Sequence, residues 1–401
     1  MSAVDGLVLH ADYATRLSYY DDWLDAFARS RDFRVTAHNI CEGAALPEIR
    51  RAIGAHDLVV LLHSTNADTM MYLKPVAEAL KDRRGKLLVF VGNELNLPGS
   101  PMAEKIAFLR DVEPDFIATQ LLAEAGQWLY ASCPGARILS TPHALNAAAF
   151  RPGPPRDQRP VDIGTRSARY IPYLGDDERN RLFDLFAAHA FDPALKVDIE
   201  TDSRLAREGW AGFLSRCKGT VSNEAGSWYL EPDDHTMEEI RAWVRRQPGG
   251  IVIANDSALR RLGHRLPWFV KAALRALLRR GPVRHEMLVN EALDFAEIHE
   301  RFFKERARAP VYTKVVSSRH FDAIGTKTCQ ILIRGRYNDT LVADEHYLAL
   351  DPDFANLDAV LAAFADDDRN REIVDRAYEH ALAEHTLDHR ISGLAAAVSA
   401  S

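Results

Sequence analysis

The chain has 401 residues, a formal net charge of −7 and a composition that is 47% apolar and 27% charged, which together suit a globular protein of two ordinary domains. The acidic balance gives no global attraction for nucleic acid, and no apolar run reaches the roughly 20 residues a membrane span needs. The amino terminus lacks the basic-then-apolar pattern of a secretory leader, so a cytoplasmic protein is expected.

From Gly6 to about Phe150 short apolar runs alternate with amphipathic stretches. GLVLH, RVTAHNI, DLVVLLHS, KLLVFVG, DFIATQ and ARILSTP read as strands, and Leu46–Ile53 and Tyr72–Leu80 as helices between them. That rhythm predicts a parallel sheet wrapped by helices, in which ligands sit at the carboxyl ends of the strands. The residues just past each run are His10, His63, Asn93-Glu94, Thr119-Gln120 and His143. Each serves equally as a cap or turn former.

Arg151–Pro160, rich in Pro, Arg and Gly, reads as a linker and sets the expected domains at 1–155 and 156–385, with 386–401 a tail or crossing helix. The second half opens on a strand, Val161–Gly164, followed by small residues and two arginines. Guanidinium forks match phosphate oxygens, so Arg166 and Arg169 are candidates for a diphosphate seat. Within Trp210–Trp228 a helix leads to a strand and a Ser-Asn-Glu-Ala-Gly-Ser turn. This turn resembles the glycosyltransferase passage in which a strand end delivers a Glu-Ser-Gly-Ser loop beside the donor, which implies that Glu224 and Ser227 could bond sugar hydroxyls and that Glu224 could steady positive charge at an anomeric carbon; Ser222-Asn223-Glu224 is also good capping sequence.

A mainly helical insertion is expected from about 232 to 308. Inside it Ser257–His285 carries eight Arg or Lys, no acidic residue, and Trp268 and Phe269, a pattern suited either to an anionic membrane surface or to a helix that shows Arg to water. Asn356–Leu394 repeats apolar positions at helical spacing, with a boundary at Asp366–Arg369. The cysteines, Cys41, Cys133, Cys217 and Cys329, have no paired spacing and read as buried thiols.

Arg319, Phe321, Asp322, Ala323 and Gly325, then Gly335 and His385-Thr386, resemble the carboxyl-terminal region of the spore-maturation-protein-like glycosyltransferases, among the family-four enzymes of GT-B fold. Thr141-Pro142-His143-Ala144-Leu145-Asn146 with Phe150-Arg151-Pro152 resembles the passage by which such enzymes leave their first domain. The resemblance implies an α/β fold of two Rossmann-like domains facing across a cleft, and transfer of a sugar from a UDP- or GDP-linked donor to a carbohydrate or lipid-linked acceptor. It implies Asp322 as the ribose ligand at a helix start, Gly325 and Thr326 near the pyrophosphate, and Lys314 and Arg319 on the donor. The chain departs from the pattern at Lys314, where these enzymes carry the first acid of a Glu-x7-Glu pair.

Leaving-group charge in such an enzyme is met by a helix N-terminus and arginines, so no cofactor and no essential metal are expected. His63, Glu94 and His143 would line the acceptor side, and a neutral His or a carboxylate could take the acceptor proton if the transfer inverts. Two other classes fit the same features: a nucleotide-sugar-binding scaffold without activity, favoured by Lys314, and a transferase of phosphate-containing polyols. A nucleotide-sugar epimerase fits less well.

Overall fold

The computed structural model describes residues 3–12, 18–189, 191, 194–201, 203–247, 251–253, 283–285 and 293–400. The first sheet contains β1 (Val4–His10), β2 (Phe33–Asn39), β3 (Leu58–Leu61), β4 (Lys86–Phe90), β5 (Phe116–Thr119) and β6 (Arg137–Ser140), in the order β2-β1-β3-β4-β5-β6. All of its pairings are parallel. β3 and β5 are buried at every residue, as expected of strands covered on both faces, whereas the edge strand β6 is exposed at Arg137 and Ser140. Helices α1 (Ser18–Arg29), α2 (Leu46–Ala55), α3 (Ala77–Lys81), α4 (Met102–Val112) and α5 (Ala123–Leu129) supply the cover.

The second sheet is built from β7 (Val161–Arg166), β8 (Val197–Glu200), β9 (Cys217–Ser222), β14 (Cys329–Ile333) and β15 (Leu348–Leu350), ordered β15-β14-β9-β7-β8 and again parallel. A short antiparallel pair, β10 (Ala225–Gly226) with β13 (Lys314–Val315), sets Lys314 opposite Gly226. β11 (Ile251–Ile253) and β12 (Val283–His285) form a parallel pair of their own. The helices here are α6 (Glu178–Ala188), α7 (Arg207–Ser215), α8 (His235–Arg246), α9 (Phe295–Ile298), α10 (Ser318–Gly325), α11 (Leu357–Ala365) and α12 (Asp367–Glu384). Most of the basic stretch read at 257–285, residues 257–282, lies outside the described residues. No described helix is long and apolar enough to cross a membrane.

The last helix, α13 (Leu387–Ser399), returns to the first domain. Its Leu387, Ile391, Leu394 and Val398 recur on one face and pack with Val8, Trp23, Phe27 and Phe90. At about 1.5–3 kcal/mol for each fully buried side chain, those four contribute on the order of 6–12 kcal/mol before entropy is subtracted. The crossing is held by a two-way backbone contact: Leu145 N–H donates to His385 O at 2.8 Å and Leu387 N–H to Leu145 O at 3.0 Å. Two Rossmann-like parallel sheets flanked by helices make the α/β, GT-B architecture expected from the sequence.

Candidate active site

In each sheet the strand order reverses once, between β1 and β3 in the first and between β7 and β9 in the second. Ligands of open α/β sheets bind outside the carboxyl ends of strands at such points.

His63 follows β3 at the first of these places. It is 1% exposed, and among the described residues neither ring nitrogen has a hydrogen-bond partner. The ring stacks on His143 with centroids 5.4 Å apart and lies against Phe90 at 4.9 Å and Trp23 at 5.5 Å. Burial holds the His63 imidazole well below its ordinary value. His143 is pulled down to about 3, first by burial and then by the charge of Arg319 in the other domain. The Trp23 indole N–H, which can only donate, points at His143 Nδ1 from 3.2 Å. Neutral His143 therefore keeps its proton on Nε2 and is a hydrogen-bond donor there.

Glu94, just past β4, is 8% exposed, and both of its oxygens are engaged. Its Oε1 accepts from the hydroxyls of Thr119 and Tyr130, both at 2.5 Å, and its Oε2 accepts from Gln120 N–H at 2.9 Å. Burial raises its carboxyl above the usual range. The carboxylate ties the ends of β4 and β5 together. Lys105 does the same for the adjoining loops, donating to the carbonyls of Gly92 at 2.6 Å and Asn93 at 2.8 Å.

At the second reversal the arginines divide into two kinds. Arg166 is engaged by Asp198 at 2.8 Å and Glu200 at 3.4 Å and lies over the Phe213 ring; Arg169 pairs with Asp184. Arg179 and Arg319 have no carboxylate within ion-pair distance among the described residues. Arg179, 4% exposed, lies over the Tyr170 ring at 3.9 Å, donates from Nε to Asn223 Oδ1 at 3.1 Å, and keeps a buried Nη2 without a partner among the described residues. Arg319 donates to the Ser167 hydroxyl. Its guanidinium is pulled down to about 9 by burial and by the neighbouring charge of Arg179. Two cations that repel each other, with donors to spare, can together hold an anion.

The carboxylates around this seat are held by protein donors. Glu224, immediately after β9, accepts from Tyr337 N–H at 2.6 Å and from the Tyr312 hydroxyl. Burial raises it. Gly335 makes room for it, since a Cβ there would stand 2.2 Å from Glu224 Oε2. Lys314 is 1% exposed and lies between Asp176 at 2.9 Å and Glu178 at 2.8 Å. The Ser227 hydroxyl donates to Leu174 O at 2.6 Å and so fixes the loop after β10.

The helix that carries the resemblance starts earlier than its sequence suggests. A capping box between Ser317 and His320 starts α10 at Ser318, so Asp322 is its fifth residue rather than its first. The positive end of the helix dipole thus lies beside Arg319, and Gly325 and Thr326 stand at the opposite end, where carbonyls emerge. Gly325 is packed against the linker: a Cβ on it would lie 2.7 Å from both Leu145 Cδ1 and Phe150 Cβ. The Thr326 hydroxyl bonds Asp322 O and Ala323 O, each at 3.1 Å. Asp322, 3% exposed, accepts from Trp210 Nε1–H at 2.9 Å and from the Ser18 side chain of the first domain. Burial first and the Asp22 charge second raise its carboxyl well above the ordinary range.

The two domains meet across these residues. Arg207 bridges Asp25 at 2.5 Å and Asp22 at 3.2 Å, Asn338 donates to Gln120 O at 2.8 Å, and Asn96 donates to Asp234 at 2.6 Å. The sequence points to Arg319 and the histidine pair but not to Arg179, Asn223 or Glu178. One described group could gather a metal, His380, Glu384 and His385, with ligand atoms within 4.8 Å of one another. Arg390 donates to His385 Nδ1 at 3.0 Å and already sets a cation there.

Residues 283–396 match a protein family described as glycosyl transferase-like. A search of curated proteins gives no match. Among solved structures, Anabaena HepE in complex with UDP-glucose is similar at 10% identity and a TM-score of 0.48, over 99% of this chain and 100% of that one. A glycosyltransferase from Rickettsia africae gives 10% and 0.47, over 99% and 98%. The amino-terminal domain of Candida albicans trehalose-6-phosphate phosphatase gives 10% and 0.43, over 99% and 97%.

Proposed function

We propose that the chain is a glycosyltransferase that takes its sugar from a nucleoside diphosphate donor, with the diphosphate held by Arg179 and Arg319. The observation that carries this reading is the pair of guanidinium groups at the β7–β9 reversal that have no carboxylate partner among the described residues. The glycosyl transferase-like match supports it, because residues 283–396 include Arg319 and Asp322.

In the transfer the anomeric C–O bond breaks and its electron pair leaves on the diphosphate oxygen, while the acceptor oxygen bonds to the same carbon. Guanidinium groups already in place stabilise the leaving charge without reorganising. The amino end of α10 adds to this, and turnover is expected to persist in EDTA. On the facing side His143 offers its Nε2–H as a donor and His63 retains an unpartnered lone pair for an acceptor hydroxyl. In this reading Glu94 and Glu224 act as positioning residues. Asp322 can meet a ribose diol only after Ser18 and Asp22 withdraw, which couples donor entry to separation of the domains. The acceptor class, a carbohydrate or lipid-linked glycan of cell-surface synthesis, follows the spore-maturation-protein-like resemblance.

The test is calorimetric titration with UDP, GDP and CDP in EDTA. One nucleotide should bind the wild-type protein. Arg179→Gln and Arg319→Gln should each weaken it about 10- to 150-fold, the value of one charge-assisted hydrogen bond. Absence of binding by folded protein, or unchanged affinity in both variants, would sink the reading.

A further inference from the structure

Glu178, the first residue of α6, stands beside the anion seat. Its Oε2 accepts from Lys314 Nζ at 2.8 Å and from Asn223 Nδ2 at 3.0 Å. Lys314 is itself held by Asp176, and Asn223, fully buried, turns its Oδ1 to Arg179 Nε. The amide thus has one orientation that satisfies both neighbours. A carboxylate offers about four acceptor positions, and the described residues fill two of them, both on Oε2. Oε1 has no protein donor among the described residues, and the side chain is 15% exposed. One residue further along, Arg179 keeps its Nη2, which has no partner among the described residues.

We infer that Glu178 is the group that reads the hydroxyls of the transferred sugar; the inference rests on the glycosyltransferase reading. An acceptor and a cationic donor fixed side by side through one asparagine match a ligand whose phosphate oxygen lies next to hydroxyl groups. That is the chemistry of a sugar 1-phosphate linkage. Lys314 has a second carboxylate partner in Asp176, which frees Glu178 from having to neutralise that lysine alone. Hydroxyl recognition is thereby separated from diphosphate recognition, which falls to Arg179 and Arg319.

The experiment compares each bare nucleoside diphosphate with its sugar nucleotides, UDP against UDP-glucose, UDP-galactose and UDP-N-acetylglucosamine, and GDP against GDP-mannose. Binding is measured for the wild-type protein, Glu178→Gln and Glu178→Asp. The expected result is a loss of about 10-fold or more for the sugar nucleotide in both variants, with the bare diphosphate bound as before. Glu178→Asp keeps the charge beside Lys314 and shortens the reach, so it guards against a variant that merely misfolds. Equal losses for both ligands, or no loss for either, would overturn the inference while leaving the glycosyltransferase reading intact. Failure of the wild-type protein to bind any nucleotide would instead remove the reading on which it rests.

Discussion

Gly325→Ala separates a packing glycine from a phosphate-binding one. The new Cβ would stand 2.7 Å from Leu145 Cδ1 and Phe150 Cβ and 2.8 Å from the Phe150 carbonyl oxygen, each well inside contact distance. Leu145 can rotate, but Phe150 presents its own Cβ and backbone, and Leu145 is also tied to His385 and Leu387. Relief must come from a shift of α10 against the linker. Overpacking of this kind costs about 1–3 kcal/mol. A helix gains up to about 1 kcal/mol when Gly becomes Ala, less at its last residue, so a net loss of about 1–2 kcal/mol is expected. Urea unfolding monitored by Trp fluorescence should show a lower midpoint at unchanged slope. Nucleotide affinity of the folded protein, measured by calorimetry, should stay within about twofold. Unchanged stability with lost nucleotide binding would refute the reasoning and return Gly325 to the pyrophosphate.

A second expectation concerns pH. Asp22 is raised to about 6 from 3.8, by burial above all. A carboxyl whose folded value lies above its unfolded one adds stability that is full below about 4 and lost as pH rises through about 6. Each tenfold change in proton affinity is worth about 1.4 kcal/mol, so the stability lost across that range is at most about 3 kcal/mol. Asp22→Asn should flatten that part of the profile, seen as a smaller difference between urea midpoints at about pH 4.5 and 7; an unaltered difference would show that the carboxyl is not strained. Gly335→Ala should displace the Glu224 carboxylate, from which its Cβ would be 2.2 Å away, and free the Tyr312 hydroxyl. The loss of two hydrogen bonds to a buried charge should lower stability by about 3 kcal/mol or more, and thermal unfolding within about a degree of the wild type would count against it.

What can be read from the sequence divides along a physical line. LVVLL and KLLVFVG declare buried strands because apolar side chains point to both faces, and their carboxyl ends follow. β8, Val-Asp-Ile-Glu at a sheet edge, alternates with charge and gives no such signal. His63 and His143 are legible as strand-end residues, but their stacking joins elements about 80 residues apart and no local pattern encodes it. Arg179 lies in Asp-Asp-Glu-Arg-Asn-Arg, which reads as a solvated helix start. Only the fold draws it beneath Tyr170. The late placement of Asp322 in its helix has a visible signal, since Ser317-x-x-His320 is a form of the capping box with His in place of Glu. Lys314 is legible as a departure, yet its partners Asp176 and Glu178 lie just before and at the start of α6, more than 130 residues earlier.

The return of α13 to the first domain also sets an order of assembly. Val8, Trp23 and Phe27 leave the ribosome about 360 residues or more before the side chains that cover them, Leu387 to Val398. Until Leu387 to Val398 emerge, the first sheet carries an uncovered apolar face beside a growing second domain. The domain whose strands are made first is therefore closed last. A chain halted near residue 386 should keep both sheets but expose that face, and it would be prone to aggregate or to require a chaperone.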